Sequence, residues 1–355
     1  MNVLGLGILF SRGRGIDAFE NALKTGWQKP DEYDIPRLNK KTFAYIVKPE
    51  DMEDKVLFKK MRRADKFSKM AVIAATDAIK DSRVDINKTR TGIILSTAFG
   101  AHQTTFDFLD NIIDYGEAQV SPTIFSNSVH NAAASYIASA LDITGPTLTV
   151  TRFFFAFQSA LQLAQTWIND NCCDHVLVGG VDVCGEVMRY SFDKNLGTSS
   201  DGKIKPFSFT NPSSPVPGEG SVFFLVSGRS AENAYCRIAD IDFNRNPKCK
   251  ELPAIDIIDA DGMADGKTYL SSLSLKVPVA AYSPLFGSTM TGSAFNLTAG
   301  ALMIKKQMQY ATPVIDNSEG LDLADVSRPG KIDSVRSIGC NCQDENVTIY
   351  LLRSK

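Results

Sequence analysis

The chain has 355 residues, of which 44% are hydrophobic and 22% charged, and its formal net charge is −2. This is an ordinary globular composition, long enough for two domains or one large duplicated unit. It gives no electrostatic case for a nucleic-acid partner, and no apolar run is long enough to span a bilayer.

Short apolar runs alternate with longer helical patterns, as expected of an α/β protein built on mostly buried sheets. Residues 2–8 predict a strand, not a signal peptide, because the basic start and cleavage pattern are missing. Gly5-x-Gly7 within it is a strand glycine pair and not a nucleotide fingerprint. A helix is predicted over 67–79, where Ala71, Ala74 and Ala75 permit close packing, and a strand over 92–96. The alanine-rich stretch 131–141 predicts another close-packed helix. A strand at 148–150, a helix at 157–169 and strands at 175–180 and 222–226 complete a first half, expected over 1–228. The second half, 229–355, is predicted to hold strands at 235–242 and 255–259, a long helix over 291–308, and closing strands at 334–338 and 346–352. Its pattern loosely echoes the first, which hints at duplication.

The seven cysteines are scattered without metal-type pairing, which fits reduced thiols in a cytoplasmic protein and no metal site. No cofactor motif is found. With three histidines in the chain, His102, His130 and His175, imidazole chemistry has few candidates. The most unusual stretch is Thr149-Val150-Thr151-Arg152-Phe153-Phe154-Phe155-Ala156-Phe157-Gln158, where a strand hands over to a helix. Such a handover is a common place to present a nucleophile, yet it carries phenylalanines.

Several separated segments agree on one family. Gly145-Pro146-Thr147-Leu148-Thr149-Val150, followed by a helix and then Asp174 through Asp182, resembles the nucleophile region of β-ketoacyl synthases of the thiolase superfamily. Lys205-Pro206-Phe207 leading to Pro217-Gly218-Glu219-Gly220-Ser221 resembles their turn into the strand that closes the first half. Ser288-Thr289-Met290-Thr291-Gly292-Ser293 resembles the motif that opens the second core helix. The run Arg62 to Met70 is typical of the family's early region, and Ser128-Val129-His130-Asn131-Ala132 is similar to a subgroup of aryl-polyene and related pathways. The resemblance covers nearly all of the chain and implies a thiolase-like duplicated α-β-α-β-α layered sandwich.

Members of this family use a cysteine at the start of a buried helix as acyl acceptor, assisted by two histidines from the second half. Aligned on Gly145-Pro146, the nucleophile position is Phe154, which has neither lone pair nor ionisable proton. The first histidine position falls on Asp261 and the second, after Thr291-Gly292, on Ser293. Cys340 stands where the family has a gating phenylalanine. All three catalytic positions are therefore altered. Phe153, Phe155 and Phe157 are expected either to fill the old cavity as core, each contributing about 1.5–3 kcal/mol, or to line an acyl tunnel shared with a partner.

The resemblance thus implies a chain-length-factor-like subunit without independent condensing activity, paired with an active β-ketoacyl synthase in fatty-acid, polyene or polyketide biosynthesis. Such subunits in aromatic polyketide systems commonly carry glutamine at the nucleophile position, and this chain does not. An atypical thioester-processing enzyme using Asp261 and Ser293 remains an alternative, as does a non-enzymatic homodimer that binds an acyl ligand or carrier protein. In each case His130, Asn131, Thr149 and Thr151 are expected at a subunit interface, since the strand near 148–152 would otherwise leave an open edge. The basic run 59–66 reads as a solvated helix face or as a contact for an acidic carrier protein.

Overall fold

One sheet is traversed twice on the same plan. The computed structural model describes residues 1–209, 214–229, 231–243, 252–263, 267–273, 276–343 and 345–354. The first pass lays down β1 (Asn2–Phe10), β2 (Thr91–Thr97), β3 (Thr147–Thr151), β4 (His175–Asp182) and β5 (Gly220–Ser227). The second lays down β6 (Cys236–Asp242), β7 (Ile255–Ile258), β8 (Val279–Ala280), β9 (Ser334–Cys340) and β10 (Asn346–Leu352). The spatial order is β1-β5-β4-β2-β3 in the first pass and β6-β10-β9-β7-β8 in the second. In both, the first strand runs antiparallel to the fifth and the fifth antiparallel to the fourth. The remaining neighbours are parallel. The passes join where Asn2 pairs with Arg237 and Val3 with Cys236. Identical order and identical direction make the duplication that the sequence only hints at.

Four helices set the layers. α1 (Lys66–Ser82) begins at Asp65, whose carboxylate caps it by accepting the Ser68 N–H at 2.9 Å. It lies directly on β1, and the two glycines of that strand explain how. A Cβ on Gly5 would fall 2.1 Å from the Ala78 carbonyl oxygen, and one on Gly7 only 1.8 Å from that of Ala74. Gly5-x-Gly7 is thus a bare floor on which helix backbone rests. α2 (Ala132–Leu141) packs on α1 through its alanines and also touches β3.

α3 (Ala156–Asn169) and α4 (Gly292–Lys306) form the middle layer, α3 against β2 and β4, α4 against β9, and the two against each other. α4 is buried from Gly292 to Ile304 without a polar face, as a helix enclosed by two layers must be.

Two buried carboxylates tie these parts together. Glu219, 1% exposed, accepts the N–H groups of Val47 at 2.8 Å and Cys184 at 2.9 Å and pairs with Lys66. The basic run therefore turns one half-exposed lysine toward a buried carboxylate, while Lys59, Arg62 and Arg63 stay exposed. Asp182, at the end of β4, accepts from Thr97 Oγ1 at 2.9 Å and from the Ala98 and Thr291 N–H groups at 3.0 Å. It thereby fixes the entry to α4 against the first half. The structure also holds elements that the sequence pattern does not announce: a helix over Ile16–Thr25, a hairpin of Asp31–Ile35 with Lys40–Ala44, and helices over His102–Tyr115 and Glu186–Asn195. No helix among the described residues is long and apolar enough to cross a membrane.

Candidate functional site

The N-termini of α3 and α4 converge on one cavity, closed by the loop after β7 and the end of β9. The turn into α3 is strained. Phe155, its N-cap, has φ 58° and ψ 30°, a left-handed conformation rare for an aromatic residue and typical of functional turns. Phe154 precedes it, half-buried, with its ring 6.5 Å from that of Phe155. Phe153 is 59% exposed at the rim and its ring lies 5.3 Å from that of Phe99. All three line the cavity.

Phe157 does not. It is fully buried on the sheet side of α3 and meets Phe224 edge-on at 5.3 Å. A helix places residue 157 about 200° round from 155, so one phenylalanine faces the cavity and the other the sheet. Of the two alternatives for this residue, Phe157 takes the packed-core position and not that of a lining residue of this cavity. Nor do the rings fill the space. A cavity persists, with about 60 Å³ of room for the centres of water molecules.

Asp261 and Ser293, the positions matched to the two histidines, line this same cavity together with Phe154 and Cys340. Asp261 is held by the Met263 N–H at 3.0 Å, and its carbonyl accepts from Ser288 Oγ. Ser293 stands at the first turn of α4, 6% exposed, and its hydroxyl has no partner among the described residues. Cys340, 7% exposed, ends β9 beside Gly339. It belongs to a strand end, not to a helix N-terminus that would favour a thiolate.

Three further polar residues went unnoticed in the sequence. Asp259 Oδ1 accepts from Asn296 Nδ2 at 2.8 Å, and Gln158 Nε2 approaches Asp259 Oδ2 at 3.4 Å. Gly339 lets this carboxyl come close, since a Cβ there would lie 3.1 Å from Oδ2. The available signals were faint: an Asp-x-Asp pair at a strand end, and Asn296 one helical turn beyond Ser293.

Both carboxyls are partly open to the cavity but surrounded by protein. Burial pushes Asp259 up to about 7, opposed by the Asn296 hydrogen bond and reinforced by Asp261. Burial likewise pushes Asp261 up to about 7 against the Met263 N–H. A carboxyl raised on folding binds its proton more tightly in the native state. Its contribution to stability is therefore complete below the unfolded value, about 3.8, and is lost as pH rises through 7. The unfolding midpoint is expected to fall as pH rises from about 4 to about 7 and to level off above that, and Asp261→Asn should flatten that slope in a thermal melt. An unchanged slope in the variant would refute the assignment.

Elsewhere, His175 is buried at the start of β4 with its imidazole pKa lowered by burial. His102 is also buried and pushed down to about 4 by desolvation, far from any role in the cavity. His130 and Asn131 are exposed just before α2, with His130 packed over Gly100. Thr149 is half-buried and Thr151 exposed on β3, which ends the sheet.

A duplicated sandwich whose two core helices open on one shared cavity is the architecture of ketosynthases. The profile of the β-ketoacyl synthase N-terminal domain matches residues 1–231, and the chain belongs to this family. It is 25% identical over 252 residues to 3-oxoacyl-[acyl-carrier-protein] synthase 2 of Staphylococcus aureus, covering 67% of this chain and 61% of that protein. The chain thus matches about three fifths of the length of that curated relative. The corresponding protein of Coxiella burnetii is 23% identical over 188 residues, covering 51% of this chain and 45% of that one.

Among solved structures, the ishigamide ketosynthase/chain length factor superposes with a TM-score of 0.81 at 15% identity, covering 100% of this chain and 99% of that one. A β-ketoacyl synthase from Burkholderia phymatum gives 0.79 at 16%, with 100% and 99% covered. A type II polyketide acyl-carrier protein in complex with its ketosynthase, bound to the hexaketide, gives 0.80 at 17%, with 99% and 98% covered. At these identities the likeness concerns the fold.

Proposed function

We propose that this chain is a non-catalytic, chain-length-factor-like subunit that pairs with an active β-ketoacyl synthase and shapes its acyl tunnel. The setting would be fatty-acid-, polyene- or polyketide-type biosynthesis, with an acyl carrier protein delivering substrate to the partner. The observation that carries this reading is the strained turn into α3. Its backbone has the form of a nucleophile turn, yet Phe153, Phe154 and Phe155 occupy it, and no phenyl ring can accept an acyl group. The adjacent cavity is narrow, with about 60 Å³ open to the centres of water molecules.

A surface suited to a partner adjoins it. β3 is a sheet edge carrying exposed Leu148, with exposed Phe153 just beyond its end, at 41% and 59% exposure. Isolated apolar residues are normal on a surface, but this grouping along a sheet edge is what a subunit contact covers. We place the division between halves near Arg229, between the end of β5 and the start of β6, and the interface along His130, Asn131, Thr149 and Thr151. Co-expression with a β-ketoacyl synthase of the same organism is expected to give a stable one-to-one complex by native mass spectrometry. A monodisperse homodimer with no affinity for that ketosynthase would overturn the reading.

The carboxyls near neutrality favour a second reading, acid–base chemistry on a thioester through Asp261 and Ser293. Turnover by the purified chain that disappears in Asp261→Ala would establish it.

A further inference from the structure

The cavity between α3 and α4 is lined by hydrogen-bond acceptors. Asp259 orients two amides: Asn296 and Gln158 turn their nitrogens to its carboxyl, so their oxygens face elsewhere. Asn296 Oδ1 and Gln158 Oε1 then find no donor among the described residues, though these side chains are 1% and 3% exposed. The Ser293 hydroxyl is likewise unpartnered. Among the described residues no lysine, arginine or histidine lines the space. Each buried polar atom left unpaired costs on the order of 1–3 kcal/mol, so an occupant that brings donors is favoured. The two carboxyls select for positive charge, and the phenylalanines at the mouth suit a cation carrying an apolar end. The narrowness of the space favours a small occupant.

We infer that this cavity binds a small organic ammonium ion, its N–H groups directed to Asp261, Ser293 and Asn296 and its carbon end toward Phe153 and Phe154. The site goes beyond the scaffolding role and does not depend on a partner chain. It also opposes entry of a carboxylate such as a malonyl group, because among the described residues every charge facing the cavity is acidic. Among the described residues the titratable groups around it are Asp259 and Asp261 from the loop after β7, Cys340 from β9 and Tyr269 from the helix Lys267–Ser272; α3 and α4 add only neutral side chains. Binding should therefore strengthen from pH 6 to pH 8 as the carboxyls ionise.

The test is thermal unfolding of the isolated chain in methylammonium chloride, against sodium chloride at equal ionic strength and sodium acetate as the anion control. A saturable rise in midpoint with methylammonium alone is expected, larger at pH 8. Asp261→Asn should weaken the apparent affinity about tenfold. Ser293→Ala, which removes one small hydroxyl, provides a second variant and should weaken it several-fold. Equal midpoints in methylammonium and sodium, stabilisation by acetate, or full affinity in both variants would overturn the site. Because the chain is tested alone, failure here is distinct from failure to pair with a ketosynthase.

Discussion

Gly7→Ala is expected to cost about 3 kcal/mol or more of stability, although it adds a single methyl group. The added carbon would sit 1.8 Å from the Ala74 carbonyl oxygen, and a backbone atom has no rotamer by which to withdraw. α1 would have to lift from β1, disturbing the contact of the outer helix layer with the sheet. Gly330→Ala is the matched control, because a Cβ there meets nothing within 4 Å. Chemical denaturation of the two variants should give a large loss for Gly7 and almost none for Gly330. Equal midpoints would mean that the helix does not rest on the strand as described.

Thr149→Pro is expected to weaken subunit association by about 10–100-fold while leaving the fold intact. The parity of β3 sets this expectation. Pro146 accepts from the Ile93 N–H at 2.9 Å and Arg152 donates to Thr97 at 3.2 Å, so even-numbered residues of this parallel strand bond to β2. The backbone groups of Thr147, Thr149 and Thr151 consequently point to the open edge. Proline at 149 removes an outward donor and none of the ladder to β2, the situation in which an edge strand tolerates it. Sedimentation of the chain with its ketosynthase should show separated subunits. An undiminished complex would move the interface away from β3.

Much of this architecture is legible in the sequence because the buried strands of parallel and mixed sheets are continuous apolar runs. β1, β4, β5 and β10 are of that kind, and α1 and α4 carry enough small and apolar residues to be read directly. The helix over His102–Tyr115 and the hairpin at 31–44 are not, since their amphipathic faces depend on neighbours that the chain reaches only after folding. At the site, the spacing from Gly145-Pro146 and from Thr291-Gly292 brings Phe154 and Ser293 to one cavity, with Asp261 opposite. The left-handed turn at Phe155 leaves no local mark, because glycine or asparagine normally announces that conformation. The reorientation of Phe157 follows from helical rotation alone, whereas the Asp259–Asn296–Gln158 cluster joins three segments and exists only in the tertiary structure.

The loss of acyl-accepting capacity at the turn into α3 is the central claim, and it is tested most directly by intact-protein mass spectrometry. The chain would be incubated with acyl- and malonyl-carrier protein, alone and with a β-ketoacyl synthase of the same organism present. The predicted result is an acyl adduct on the ketosynthase and none on this chain, in a one-to-one complex. An adduct on this chain, at Cys340 or any other residue, would contradict the account and locate a nucleophile outside the phenylalanine turn.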